Sequence, residues 1–147
     1  MRSRPVAMPA FAAFLLAATL LSGCGSAVSL DEPIEGPVWR LSQLGSEAVA
    51  PGGDPRRDPQ IQFDRSGRVS GSGGCNQVSG AFVRNGSALQ MRQLASTRMA
   101  CADPAAGAKE AQFFAALQAT ASYRLSGPSQ LTLLDAGGNT VAMLTSR

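Results

Sequence analysis

The chain has 147 residues, with 13 Lys+Arg against 10 Asp+Glu and no histidine, for a formal charge of +3. The absence of histidine removes the commonest general base, the commonest neutral metal ligand and the usual partner of a serine or cysteine nucleophile. Without residues 1–23, which contain Arg2 and Arg4, the balance falls to 11 against 10, and charge gives no argument for nucleic acid or an acidic partner.

The first segment has the layout of an export signal. Arg2 and Arg4 precede an apolar run from Phe11 to Leu21, interrupted only by Thr19, and small residues Ser22 and Gly23 lead into Cys24. The run is shorter than the roughly 20 residues that span a bilayer. Leu21-Ser22-Gly23-Cys24 resembles a lipobox, in which cleavage precedes a cysteine that then receives lipid. Residues 1–23 are therefore expected to be a lipoprotein signal peptide and Cys24 the lipidated (palmitate-type) mature N-terminus. Residues 24–36, small, acidic and broken by proline, are expected to form a flexible tether. Gly25 rather than aspartate follows the cysteine, which favours the periplasmic face of an outer membrane where the host has one.

The remaining chain is the size of one domain. Val38–Leu44 is expected to be a first strand anchored by Trp39. Residues 50–59 are dense in Pro, Gly and Asp and form a loop, with Arg56-Arg57 solvated. Ile61 and Phe63 alternate with polar neighbours, and Asp64-Arg65-Ser66-Gly67 reads as a turn. Asn85-Gly86 is the strongest hairpin signal in the chain, followed by a strand at Ala88–Met91. Asp103 as N-cap and Pro104 at the first helical position open a helix running to Ala121, with Phe113, Phe114, Leu117 and Ala121 facing a sheet. Strands at 122–125, 130–134 and 141–144 complete an α+β domain: a curled antiparallel half-barrel with one main helix packed on it.

The motifs that could carry chemistry are few. Gly71-Ser72-Gly73-Gly74-Cys75-Asn76 lacks the lysine and following helix of a phosphate loop, so its glycines are read as allowing a bend or close backbone approach. Asn76 suits a left-handed or amide-capping position. Cys75 and Cys101 fit no zinc spacing. In an exported domain, with Cys24 assigned to lipid, they form an even pair and read as a disulfide; two reduced, buried cysteines are the structural alternative. Asp64, Asp103, Glu110 and Asp135 are the carboxylates from which an acid–base pair could be drawn, although acids at turns and helix starts usually cap.

Trp39-Arg40-Leu41, Gly67-Arg68-Val69-Ser70-Gly71, Gly74-Cys75-Asn76, Gly80-Ala81-Phe82, Ser96-Thr97-Arg98-Met99-Ala100-Cys101, Glu110 and Leu131-Thr132-Leu133 resemble, in order, the META domain or HslJ-like family. The similarity covers residues 37–147. It implies a small α+β half-barrel, envelope lipoproteins associated with heat shock, novobiocin resistance and secretion or motility, and no settled enzymatic mechanism. Gly74, Asn76, Thr97 and Met99, with the two cysteines, are carried over as a fold signature and surface. The expectation is a non-enzymatic, lipid-anchored envelope protein without metal or cofactor, binding an envelope protein or lipidic partner. A small hydrophobic ligand is the alternative, and a carboxylate-based enzyme a third reading.

Overall fold

The computed structural model describes residues 33–146; the expected signal segment, Cys24 and most of the expected tether lie outside them. The elements are β1 (Val38–Leu44), β2 (Glu47–Ala48), β3 (Gln60–Phe63), β4 (Arg68–Ser72), β5 (Gln77–Asn85), β6 (Ala88–Ser96), α1 (Pro104–Ala119), β7 (Ser122–Leu125), β8 (Gln130–Leu134) and β9 (Thr140–Thr145). They form an antiparallel sheet in the order β2-β1-β3-β4-β5-β6-β7-β8-β9, with β1 also paired to β9.

The expected curled sheet with one helix is present, and it curls until its first long strand meets its last. β1 uses one edge for β3, at Val38 to Arg40, and the other for β9, at Arg40 to Leu44. A register shift between Leu41 and Gln43 lets β1 bend between them and breaks the alternation before Leu44. The seam opposite is thin, because β6 and β7 share only the pair Ala88↔Ser122. Between those strands the chain travels through α1, which packs against β9, β6 and β1.

Inward positions fill the ring. Trp39, Ile61, Phe63, Val69, Leu89, Leu131, Leu133 and Leu144 are essentially fully buried, joined by Phe113 and Leu117 from the helix. Each such side chain contributes about 1.5–3 kcal/mol relative to exposure. Phe63 and Phe82 meet edge to face with centroids 4.9 Å apart.

Local chemistry explains the connections. Asp64 Oδ1 accepts from the N–H groups of Ser66 and Arg68, and Gly67 takes φ +83° to complete the expected turn. Asp103 Oδ1 accepts from Ala105 N at 2.9 Å, the expected N-cap. The helix stops at Ala119, two residues short of expectation. Its inward face is Glu110, Phe113, Ala116 and Leu117, so Ala121 is not part of the stripe. The β5–β6 loop is Gly86-Ser87 rather than Asn85-Gly86. Asn85 still pairs with Ala88, and Gly86 supplies the positive φ of 56°. β6 continues past Met91 to Ser96 through a bulge at Gln93 (φ 53°) facing Gly80, where an added Cβ would lie 2.8 Å from the Arg92 carbonyl. The short β2 was not expected.

One boundary is corrected. Residues 34–36, assigned from sequence to the tether, belong to the folded domain. Ile34 is fully buried, its carbonyl accepts from the Trp39 indole at 2.8 Å, and Gly36 N donates to the Phe63 carbonyl at 2.9 Å. The gain is both a buried isoleucine and a satisfied indole N–H.

Because β3, β4, β5 and β6 run alternately, their connections alternate between the barrel ends. The turns 64–67 and 86–87 lie at one end with residues 34–36. The 73–76 connection and the segment after Ser96 lie at the other, beside the start of the helix.

Candidate functional site

At the helix end the glycine-rich bend, the segment after β6 and the first turns of α1 converge on two polar side chains. Gly73 is buried, and a Cβ there would collide with the Glu110 side chain, so only glycine leaves room for the carboxylate. Gly74 takes φ +107°, a conformation that favours glycine. The reversal points the N–H groups of Cys75 and Asn76 at the helix, where both donate to Glu110 Oε2. Asn76 Nδ2 donates to the other oxygen, Oε1, at 2.7 Å.

Asn76 is 6 % exposed, and both its amide groups are in use. Nδ2 also donates to the Met99 carbonyl at 3.2 Å. Oδ1 accepts from Met99 N at 2.8 Å and from Thr97 Oγ1 at 2.9 Å. The side-chain amide thus pairs with the Met99 peptide much as a neighbouring strand would. Thr97 Oγ1 in turn accepts from Gln77 N at 3.0 Å. Asn76 is thus neither the left-handed turn residue nor the local amide cap expected from its sequence neighbourhood, but a link across 23 residues.

Cys75 and Cys101 are joined as a disulfide, with Cα atoms 5.8 Å apart, across the same cluster. The alternative of two separate reduced thiols does not hold in this structure. Gly74, Cys75, Asn76, Thr97, Met99 and Cys101, separated in sequence, therefore form one assembly. Sequence reasoning left Glu110 among possible acid–base groups, but Glu110 is its anchor. The signal was available: a lone carboxylate at position 110, three and seven residues before Phe113 and Leu117, lies on the apolar face of the helix.

The electrostatics follow from this geometry. Burial raises the Glu110 pKa, but the hydrogen bonds from Asn76 N, Asn76 Nδ2 and Cys75 N outweigh it, and the group is held below the ordinary glutamate value. An ionised carboxylate with both oxygens engaged is a poor proton acceptor. The other candidate acids sit apart. Asp64 and Asp135 cap the β3–β4 and β8–β9 turns, and Asp103 caps the helix. Among the described residues, no buried side-chain nitrogen or oxygen lacks a partner. What the cluster offers to solvent is the segment it holds: Thr97, Arg98 and Met99 are exposed, Met99 at 61 %.

The family model of the META domain matches residues 32–147. The chain belongs to the META domain family. The start of that match agrees with the burial of Ile34 just inside it. Among solved structures, the META domain here is similar to a protein determined by NMR at 26% identity, TM-score 0.61, covering 77% of this chain and 91% of that one. A second NMR structure, of a protein from Burkholderia xenovorans, is 26% identical, TM-score 0.59, covering 78% and 83%. The crystal structure of a DUF4847 family protein from Bacteroides vulgatus is 16% identical, TM-score 0.57, covering 80% and 97%, a likeness of fold alone. No curated protein matches the chain.

Proposed function

We propose that this META domain is a non-enzymatic envelope lipoprotein, exported, anchored through lipid on Cys24, and binding a protein partner with the Arg98-Met99 segment at the helix end of its barrel. One observation carries the reading: both ends of the buried Asn76 amide, itself tied to Glu110 and Thr97, hold the Met99 backbone N–H and C=O while the Met99 side chain stays in solvent. A methionine side chain on a pre-fixed backbone is an adaptable apolar contact for a complementary pocket, with no backbone ordering left to be made on binding. The anchor rests on the Leu21-Ser22-Gly23-Cys24 pattern. No helix among the described residues is long and apolar enough to cross a membrane. A role in envelope stress or antibiotic tolerance follows from the family resemblance.

The test has two arms. Labelled palmitate is expected in the mature chain, which begins at Cys24, and should disappear in Cys24→Ala together with cleavage at that position. A partner recovered from detergent-solubilised membranes should be lost with Met99→Asp and kept with Val83→Asp, an exposed apolar control on β5. Equal recovery with both variants, or palmitate label persisting in Cys24→Ala, overturns the corresponding half.

A further inference from the structure

The two sulfurs do not stand alone at the helix end. The Sγ atoms of Cys75 and Cys101 and a carboxylate oxygen of Glu110 all lie within 4.8 Å of one another. Cys101 Sγ is 4.0 Å from Glu110 Oε1. We infer that, when its disulfide is reduced, this cluster is a binding site for a thiophilic divalent cation of the zinc type, held by Cys75 Sγ, Cys101 Sγ and Glu110, with water completing four-coordination.

The donor set fits the ion. Bonds of about 2.3 Å to sulfur and about 2.1 Å to oxygen at tetrahedral angles place neighbouring donors roughly 3.6–3.8 Å apart. The Cys101–Glu110 pair is already close to that spacing, and rotation of the two cysteine side chains about Cα atoms 5.8 Å apart supplies the rest. The carboxylate does not depend on the disulfide for its position. Three hydrogen bonds from the bend and the contact with Gly73 hold it. Oε1 accepts only one of those three bonds, which leaves it acceptor capacity, and it is the oxygen nearest Cys101 Sγ. Asn76 Nδ2 lies 3.6 Å from Cys75 Sγ and 3.9 Å from Cys101 Sγ, so the positive end of the amide dipole sits beside the atoms that would carry thiolate charge. Both cysteines are half-buried, which leaves a path for reductant, ion and water.

An external dithiol donates two electrons and two protons to the Cys75–Cys101 bond and becomes a cyclic disulfide. Binding of the cation then displaces the two thiol protons to solvent, while Glu110 joins already ionised. Disulfide and metal are thus alternative closures of one staple. The spacing of Cys75 and Cys101 hid this from the sequence, because the third donor comes from the helix.

The experiment uses the full chain carrying Cys24→Ser, which removes the third thiol, reduced with a dithiol that is then filtered away under nitrogen. Titration with Co2+ is expected to give a thiolate-to-cobalt charge-transfer band and tetrahedral d–d bands saturating at one ion per chain, displaced by Zn2+. The oxidised chain should give neither. Glu110→Gln should bind at least about tenfold more weakly. Should that variant lose native Trp39 emission, the parent chain decides, since the reduced folded form must bind at least about tenfold more tightly than the same chain in urea. No band in the reduced folded chain, or no loss in either comparison, overturns the site.

Discussion

At one end of the barrel, Ile34 fills the core and Glu35 pairs with Arg84 at 3.2 Å, while Arg84 Nη1 donates to the Tyr123 hydroxyl at 3.0 Å. At the other end, a disulfide, a buried amide and a buried carboxylate tie the bend, the post-β6 segment and α1 together. The first closure uses long side chains reaching across from separate elements, each through one or two contacts. Arg84 lies opposite the buried Leu89, so its aliphatic part faces inward and its charge stays near the rim. The second closure works mostly through backbone N–H and C=O groups, whose positions are fixed by the chain itself. The difference separates a plug, which seals by filling, from a clamp, which holds a segment in one conformation.

Asn76→Ala tests the clamp most severely. It removes four hydrogen bonds and leaves Glu110 and the Met99 peptide short of partners, for an expected loss of about 4 kcal/mol in urea unfolding followed by Trp39 emission. Replacing Cys75 and Cys101 together by alanine should cost about 3.5 kcal/mol, the loop-closure value for a separation of 26 residues. Because these changes strike one network, their costs should combine with a coupling of about 1 kcal/mol or more. Ile34→Ala at the plug should cost about 2–3 kcal/mol. Combined with loss of the disulfide, it should add within about 0.5 kcal/mol. Additive behaviour at the helix end, or strong coupling between the ends, would break the distinction.

The parts legible in the sequence were those whose causes are local. The Asp64–Gly67 turn and the Asp103-Pro104 helix start are each written within a few residues, and both were found where expected. The hairpin at Gly86 was displaced by one residue because Asn85 kept its strand pairing and left the positive φ to glycine. What sequence could not carry was non-local. The burial of Ile34 depends on Trp39 and Phe63, and ring closure pairs Arg40 with Thr145. Glu110 acquires its role from a bend 34 residues earlier. The META resemblance brought the right cluster residues together by their motifs without stating what holds them. Asn76 and Glu110 supply that physical reason.

Acid titration gives a smaller and more selective probe. The Glu110 pKa is pushed up by burial and pulled further down by Asn76 N, Asn76 Nδ2 and Cys75 N, leaving it below its unfolded value. A carboxylate depressed on folding stabilises the fold fully above its unfolded pKa, and that contribution is lost as pH falls through the folded value. Asp64 and Asp135, depressed mainly by hydrogen bonds within their turns, act in the same direction. Stability should therefore be level through neutral pH and decline below the ordinary carboxylate range. Glu110→Gln should flatten part of that decline, and Asp64→Asn should flatten less because its turn is open to solvent. The Met99 amide should show the distinction at single-residue level. Its hydrogen exchange should speed up on acidification in the parent chain, relative to Phe63 at the plug end, once intrinsic rates are removed. Equal acceleration at both positions would mean that acid unfolds the barrel as a whole, and that Glu110 is only one charge among several rather than the anchor of the clamp.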